Sequence, residues 1–302
     1  MGFGETRIAR RKEIMRRFAV IDVGSNSVRL MFVADGKVLY KRLKTTRLGE
    51  GLAASSFLKE EAAERSALAV AEFYGQAKAE GAEEIFVFAT AAARTAQNRE
   101  IFTDRVEELC GSKVDVISGE EEAEIGFLGA LGNQDGAIID IGGASTEIIV
   151  RKTGENVYKK SINIGVVRLK DRCGRDKVAL ENVALAEVKT FGEVPTDAEF
   201  FGIGGTATTL AAQYLKLDEY DSNKVTGTVI SMGSIQALAD ELSFMSVEEI
   251  AKLPCMPAGR EDVILGGAVL LATLMKELGI EKLTVSDRDN LEGYAIKRGL
   301  ME

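Results

Sequence analysis

Ala19-Val-Ile-Asp-Val-Gly-Ser-Asn-Ser-Val-Arg-Leu-Met-Phe-Val33 and Ala137-Ile-Ile-Asp-Ile-Gly-Gly-Ala-Ser-Thr-Glu-Ile-Ile-Val-Arg151 align without a gap, 118 residues apart. Five of the fifteen positions are identical: Ala19/Ala137, Ile21/Ile139, Asp22/Asp140, Gly24/Gly142 and Ser27/Ser145. Each copy is an apolar run ending in an aspartate, a short turn of small and polar residues, and a second apolar run. That pattern predicts a β-hairpin with a glycine-containing turn. Two such hairpins in 302 residues predict two domains with related cores.

Outward from the hairpins, strand and helix signals alternate, which predicts an α/β fold. In the first half, strands are expected at 37–44, 85–90 and 113–117, and helices at 59–80, 95–110 and 120–131. In the second half, strands are expected at 158–164, 200–202, 225–231 and 282–285. Helices are expected after Gly204-Gly205-Thr206, at 234–243, at 261–278 and at 290–298, with Ser246 and Glu249 forming a capping box. The expected organisation is an extension at 1–14 with no assigned function, a first domain at 15–130 and a second at 131–302.

Composition removes whole classes of chemistry. The chain has no histidine, which excludes His-based triads and imidazole zinc sites. Its three cysteines, Cys110, Cys173 and Cys255, are far apart, so neither a disulfide framework nor an iron–sulfur cluster is expected and a reducing cytoplasm fits. A net charge of −9 argues against nucleic acid as a partner. No membrane span is expected, since the longest nearly apolar run, 263–275, is short and interrupted by glycine.

The chemistry-bearing residues cluster in turns. Asp22-x-Gly24-Ser25-Asn26-Ser27 and Asp140-x-Gly142-Gly143-x-Ser145 each offer successive backbone N–H groups that can form an anion nest, with side-chain donors beside them. Two such turns facing each other would clamp a row of phosphates. Asp140 and Glu147 flank one turn from its two arms, and paired hard carboxylates suit Mg²⁺. Gly204-Gly205-Thr206 joins a strand to a helix whose N-terminus favours an anion. Arg94 follows a buried strand and suits phosphate. Glu120, Glu121 and Glu122 open a helix, and without histidine a carboxylate is the natural group to activate water. The basic stretch 151–177 is read either as a rim for a polyanion or as a solvated face.

These segments, taken with Ala89-Thr-Ala-Ala-Ala-Arg94, Ile117-Ser-Gly-Glu-Glu-Glu-Ala123, Arg260-Glu-Asp-Val-Ile264 and Ser286-Asp-Arg-Asp-Asn-Leu-Glu-Gly293, resemble the exopolyphosphatase / guanosine pentaphosphate phosphatase (Ppx/GppA) family over nearly the whole chain from Met15 onward. The resemblance implies two actin-like ATPase (ribonuclease H-like) domains with a cleft between them. It implies Glu122 as the catalytic glutamate and Asp140 and Glu147 as the Mg²⁺-associated carboxylates. It assigns substrate contacts to the turn residues, to Arg94 and to Arg260. Ala144 stands where the family has a third glycine, and Glu124 where it usually has arginine. The family's extra C-terminal helical module is not expected here.

The expected function is therefore a Mg²⁺-assisted exopolyphosphatase that releases the terminal phosphate of inorganic polyphosphate. Guanosine pentaphosphate 5′-phosphohydrolase is the alternative with the same chemistry. A small-molecule kinase on this fold and a catalytically weak alarmone-binding protein are the others. A homodimer is compatible with the sequence.

Overall fold

The computed structural model describes residues 17–301, so the extension at 1–14 lies outside the described residues. Strands β1 (Phe18–Val23), β2 (Ser27–Ala34), β3 (Lys37–Thr45), β4 (Glu84–Ala89) and β5 (Val114–Val116) form one sheet in the order β3-β2-β1-β4-β5. Strands β6 (Gly136–Ile141), β7 (Thr146–Lys152), β8 (Glu155–Ile162), β9 (Phe200–Ile203), β10 (Val229–Ser231) and β11 (Lys282–Val285) form the second, in the order β10-β11-β9-β6-β7-β8. Without β10 the second sheet repeats the first. An antiparallel hairpin and edge strand lie on one side, and two parallel strands continue on the other. This doubled topology is the two-domain actin-like fold.

The central strands read as apolar runs because helices cover both faces of each sheet. All six residues of β1 and all six of β6 are buried. The edge strands β3 and β8 are largely exposed and carry lysines, which discourages pairing with another chain. The helix Glu60–Ala79 turns Ala63, Ala67, Val70, Phe73 and Ala77 onto the first sheet. The helix Ile264–Leu278 fills the core of the second and contains the long apolar run. Among the described residues no helix is long and apolar enough to cross a membrane.

Two helices lie between the sheets. Gly119–Leu131 turns Ala123, Phe127 and Leu131 to Ile138, Ile149 and Ile203 of the second sheet. Its Ile125 joins Leu291, Tyr294 and Ala295 of the terminal helix Asn290–Lys297 against Phe18, Val20, Met31 and Phe88 of the first. The last helix of the C-terminal half therefore packs on the first sheet. No boundary placed at a single position near 130 describes that return.

Other expectations need adjustment. The helix expected at 95–110 is two helices, Ala91–Thr95 and Glu100–Cys110. Asn98 interrupts it by exchanging hydrogen bonds with the backbone of Leu58 at 2.7 and 3.0 Å. The strand expected at 225–231 is reduced to β10, because Asp221 caps a helical turn at Ser222–Val225. The helix Val166–Cys173 lies in the basic stretch, whose charges mask its apolar spacing, and the helix Lys177–Val188 begins where that stretch ends.

Candidate active site

Asp22 ends the buried run of β1, and Asp140 that of β6. In each copy the glycine two residues on donates its N–H to the serine carbonyl three residues further, Gly24 to Ser27 and Gly142 to Ser145, both at 3.0 Å. The two turns meet. A Cβ on Gly143 would stand 2.7 Å from the Ser25 Cβ and 3.2 Å from the Asn26 nitrogen, so only glycine permits this approach. Around the contact lies a cleft. Asp22, Gly24, Ser25, Asn26, Ser27, Glu122, Asp140, Gly142, Gly143, Ser145, Gly204, Gly205, Thr206 and Arg260 all line it.

Glu147 and Arg94 stand just behind this lining. Glu147 is buried rather than on the surface, and its carboxylate accepts from the Ser161 hydroxyl at 2.6 Å. Arg94 donates to Glu122 at 2.8 Å and to the Ile117 carbonyl at 3.2 Å. Here its guanidinium holds Glu122.

Burial and mutual repulsion dominate the carboxylates. Burial raises the pKa of Glu122, with the Asp22 charge adding to it, while the Arg94 ion pair opposes the rise. Asp140 is pushed up to about 8 by burial and by the charges of Glu122 and Asp289. Glu147 is pushed well above the usual range by burial and by Glu122 and Asp140. Among the described residues neither Asp140 nor Glu147 has an ion-pair partner. Two buried carboxylates short of positive charge fit a divalent cation. No group of three or more His, Cys, Asp or Glu side chains among the described residues is arranged to hold a metal alone. A hard cation here would complete its shell with water or ligand oxygens, the usual habit of Mg²⁺.

The first copy resolves the same problem internally. Arg29, opposite Asp22 in the β1–β2 register, binds both Asp22 and Asp289. Lys41 of β3 binds Glu292 at 2.7 Å. The N-terminus of the last helix is thereby held to the first sheet. Sequence reasoning missed Arg29, Asp289, Thr90 and Asn290 as cleft or near-cleft residues. Arg29 and Asp289 are 260 residues apart, and only the repeat register singles out Arg29.

Anion-binding features face this acidic side. Gly204, in the left-handed region at φ 73°, begins the helix after β9, and a Cβ there would stand 2.5 Å from Asp140 Oδ1. A Cβ on Gly205 would stand 2.0 Å from Arg260 Nη1 and 2.2 Å from Nη2, so the guanidinium turns that edge to the helix N-terminus. Arg260 is half-buried, donates to Thr209 at 3.1 Å and has no carboxylate partner among the described residues. Burial and the neighbouring Arg29 lower its pKa to about 10. The Thr206 hydroxyl donates to the Ile141 carbonyl at 2.8 Å and so ties β6 to this helix. Asp22 Oδ1, Ser25 Oγ and Asn26 Oδ1 are buried without a partner. A half-buried guanidinium without a counter-charge suits an anionic ligand, whereas the orphaned acceptor oxygens Asp22 Oδ1 and Asn26 Oδ1 call for a donor such as water.

The basic stretch does not form a free rim. Lys152, Lys170, Arg172 and Lys177 pair with Asp197, Asp262, Glu187 and Asp240. Arg151 lies over the Phe127 ring, and Arg175 donates to backbone carbonyls. Glu124 pairs with Lys297 at 3.0 Å, away from Glu122, and Ala144 is buried in the cleft lining. All three cysteines are free.

A sequence model of the Ppx/GppA phosphatase family matches residues 31–299. Exopolyphosphatase 2 of Mycobacterium tuberculosis is 33% identical, covering 93% of this chain and 98% of that protein. The guanosine-5′-triphosphate,3′-diphosphate pyrophosphatase of Photobacterium profundum is 30% identical over 96% of this chain and 60% of its own length. Among solved structures, an exopolyphosphatase from Cytophaga hutchinsonii matches with a TM-score of 0.83 at 26% identity, covering 95% of this chain and 100% of that one. The Aquifex aeolicus member of the Ppx/GppA family matches with a TM-score of 0.76 at 29% identity, covering 94% and 98%. With the family's motifs gathered around one cleft and its sequence pattern running through almost the whole chain, this protein belongs to the Ppx/GppA phosphatase family.

Proposed function

We propose that this enzyme is a phosphoanhydride hydrolase that removes the terminal phosphate of inorganic polyphosphate in the cytoplasm. The observation that carries the reading is the convergence on one cleft of Glu122, two glycine turns in contact and a half-buried guanidinium without a carboxylate partner, Arg260. The turn N–H groups and Arg260 bind and orient the phosphates. Glu122, its pKa raised by burial and its orientation held by Arg94, takes a proton from the attacking water. The water oxygen bonds to the terminal phosphorus, the bridging P–O bond breaks, and the shortened chain departs with the bridging oxygen. Asp140 and Glu147 would hold Mg²⁺, which neutralises phosphate charge when bound. Positioning and electrostatics supply most of the rate.

A neighbouring pocket gives one reason to keep guanosine pentaphosphate as a second substrate. It shares Arg29, Gly204, Gly205 and Arg260 with the cleft and adds Leu43, Tyr220, Pro257 and Leu291, surfaces against which a nucleoside can pack.

The test is orthophosphate release from polyphosphate and from guanosine pentaphosphate, with and without Mg²⁺, by the wild type and Glu122→Gln. Release that needs Mg²⁺ and falls at least about a hundredfold in the variant is expected. Retained turnover in Glu122→Gln removes the base assignment. Binding without release by the wild type favours the alarmone-binding alternative.

A further inference from the structure

We infer that Asn290 is a water-binding residue of this cleft, sharing the attacking water with Glu122. The inference rests on the hydrolase reading above and adds to it a residue from the far end of the chain.

Asn290 is the first residue of the terminal helix, only 5% exposed, and it lines the central cleft. Its Oδ1 is buried and has no hydrogen-bond partner. A buried amide oxygen without a donor is costly, so a hydrogen-bond donor should meet it when the site is filled. The amide lies against Gly126, where a Cβ would come within 2.8 Å of Oδ1. Gly126 follows Glu122 by four residues, so both lie on one face of the helix Gly119–Leu131, about one turn apart. Asn290 thus presents an acceptor beside the carboxylate that takes the water's proton.

A water about to attack has two hydrogens to place. One goes to Glu122, and an acceptor for the other fixes the direction of its lone pair. The carboxylates around the cleft already repel one another, so a further charged acceptor would push Glu122 still further from its ionised form. A neutral amide accepts the second hydrogen without that penalty. Its position is well supported. Asp289, the preceding residue, caps the helix by accepting from the Leu291 N–H at 3.1 Å and is itself bound by Arg29.

The test uses Asn290→Ala, Gly126→Ala and the double variant Glu122→Gln/Asn290→Ala in phosphate-release assays on polyphosphate and guanosine pentaphosphate, with melting temperatures. Asn290→Ala is expected to lower kcat about ten- to a hundredfold with KM within about threefold of wild type. Gly126→Ala, whose new methyl displaces the amide, should lower kcat in the same direction. The double variant should be no slower than Glu122→Gln alone, because both residues act on one water. An unchanged kcat in Asn290→Ala, with Glu122→Gln inactive, overturns the inference and leaves the hydrolase reading standing. Additive losses in the double variant, tracking a lowered melting temperature, overturn it in favour of a structural role. A wild type that hydrolyses neither substrate overturns both.

Discussion

Arg29 and Glu147 occupy equivalent positions in the two hairpins, Arg29 paired with Asp22 across β1–β2 and Glu147 with Asp140 across β6–β7. One backbone plan therefore carries opposite charges at the same register position. In the first copy the aspartate's charge is neutralised within the fold. In the second it is doubled and left for something outside the chain to neutralise. The asymmetry makes the cleft bipolar, with an ion-paired wall on the Arg29 side and a cation-seeking wall on the Asp140 side.

That imbalance should appear in the pH dependence of stability. The folded state keeps a proton on Asp140 up to about pH 8, whereas the ordinary carboxyl releases it near 3.8. Between these values the folded state binds more protons, so stability falls as pH rises. Glu147 and Glu122 act in the same direction. Asp289 acts oppositely: burial would raise it, but Arg29 and Lys41 hold it below its ordinary value, so its window lies below pH 4. Even a third of the Asp140 shift is worth roughly 2 kcal/mol, or about 3 °C in a chain of this size. The metal-free enzyme should melt lower at pH 8 than at pH 5 by at least that amount, and Mg²⁺ should recover part of the loss at pH 8. In Asp140→Asn/Glu147→Gln the pH slope and the Mg²⁺ response should both shrink. A wild type whose melting temperature is flat or rises over this range contradicts this arrangement of charge.

The parts of the fold legible in the sequence are those whose signal is local. β1 and β6 are apolar on both faces and end in an aspartate before a glycine turn, and the 118-residue offset exposes their kinship. The site was legible to the same depth: all the turn residues, Glu122, Asp140 and Arg260 line one cleft. What depends on chain return was not legible. Asp289 reaches Arg29 across 260 residues, and Asn290 enters the cleft only because its helix packs on the first sheet. The two readings of the basic stretch could not be separated for the same reason, since Asp197, Asp240 and Asp262, which pair with Lys152, Lys177 and Lys170, lie in other elements.

Arg260 offers a test that separates binding from folding. A half-buried guanidinium without a carboxylate partner burdens the empty protein and favours an anionic ligand. Arg260→Ala should raise KM for polyphosphate about ten- to a hundredfold, corresponding to the roughly 1.5–3 kcal/mol of a hydrogen bond to a charged group. Its melting temperature without substrate should hold or rise. A melting temperature several degrees lower with KM unchanged would make Arg260 a structural residue.

The crossing of the two central helices is the last relation open to measurement. A Cβ on Gly129 would stand 1.9 Å from the Asp289 carbonyl oxygen, and one on Gly293 would stand 1.6 Å from that of Ile125. Each helix thus lays its backbone on the other through a glycine. In an exposed helix, replacing glycine by alanine stabilises by up to about 1 kcal/mol. Gly75, in the middle of Glu60–Ala79, is the matching control, because a methyl added there would meet nothing within 4 Å. Gly75→Ala should hold or raise the melting temperature. Gly129→Ala forces backbone against backbone, which cannot yield as a side chain does, and should cost about 1–3 kcal/mol, as overpacking does. The displaced carbonyl belongs to Asp289, which binds the Arg29 that holds Asp22, so the same substitution should also slow phosphate release. A Gly129→Ala enzyme as stable and as fast as the wild type would show that the helices do not cross this closely.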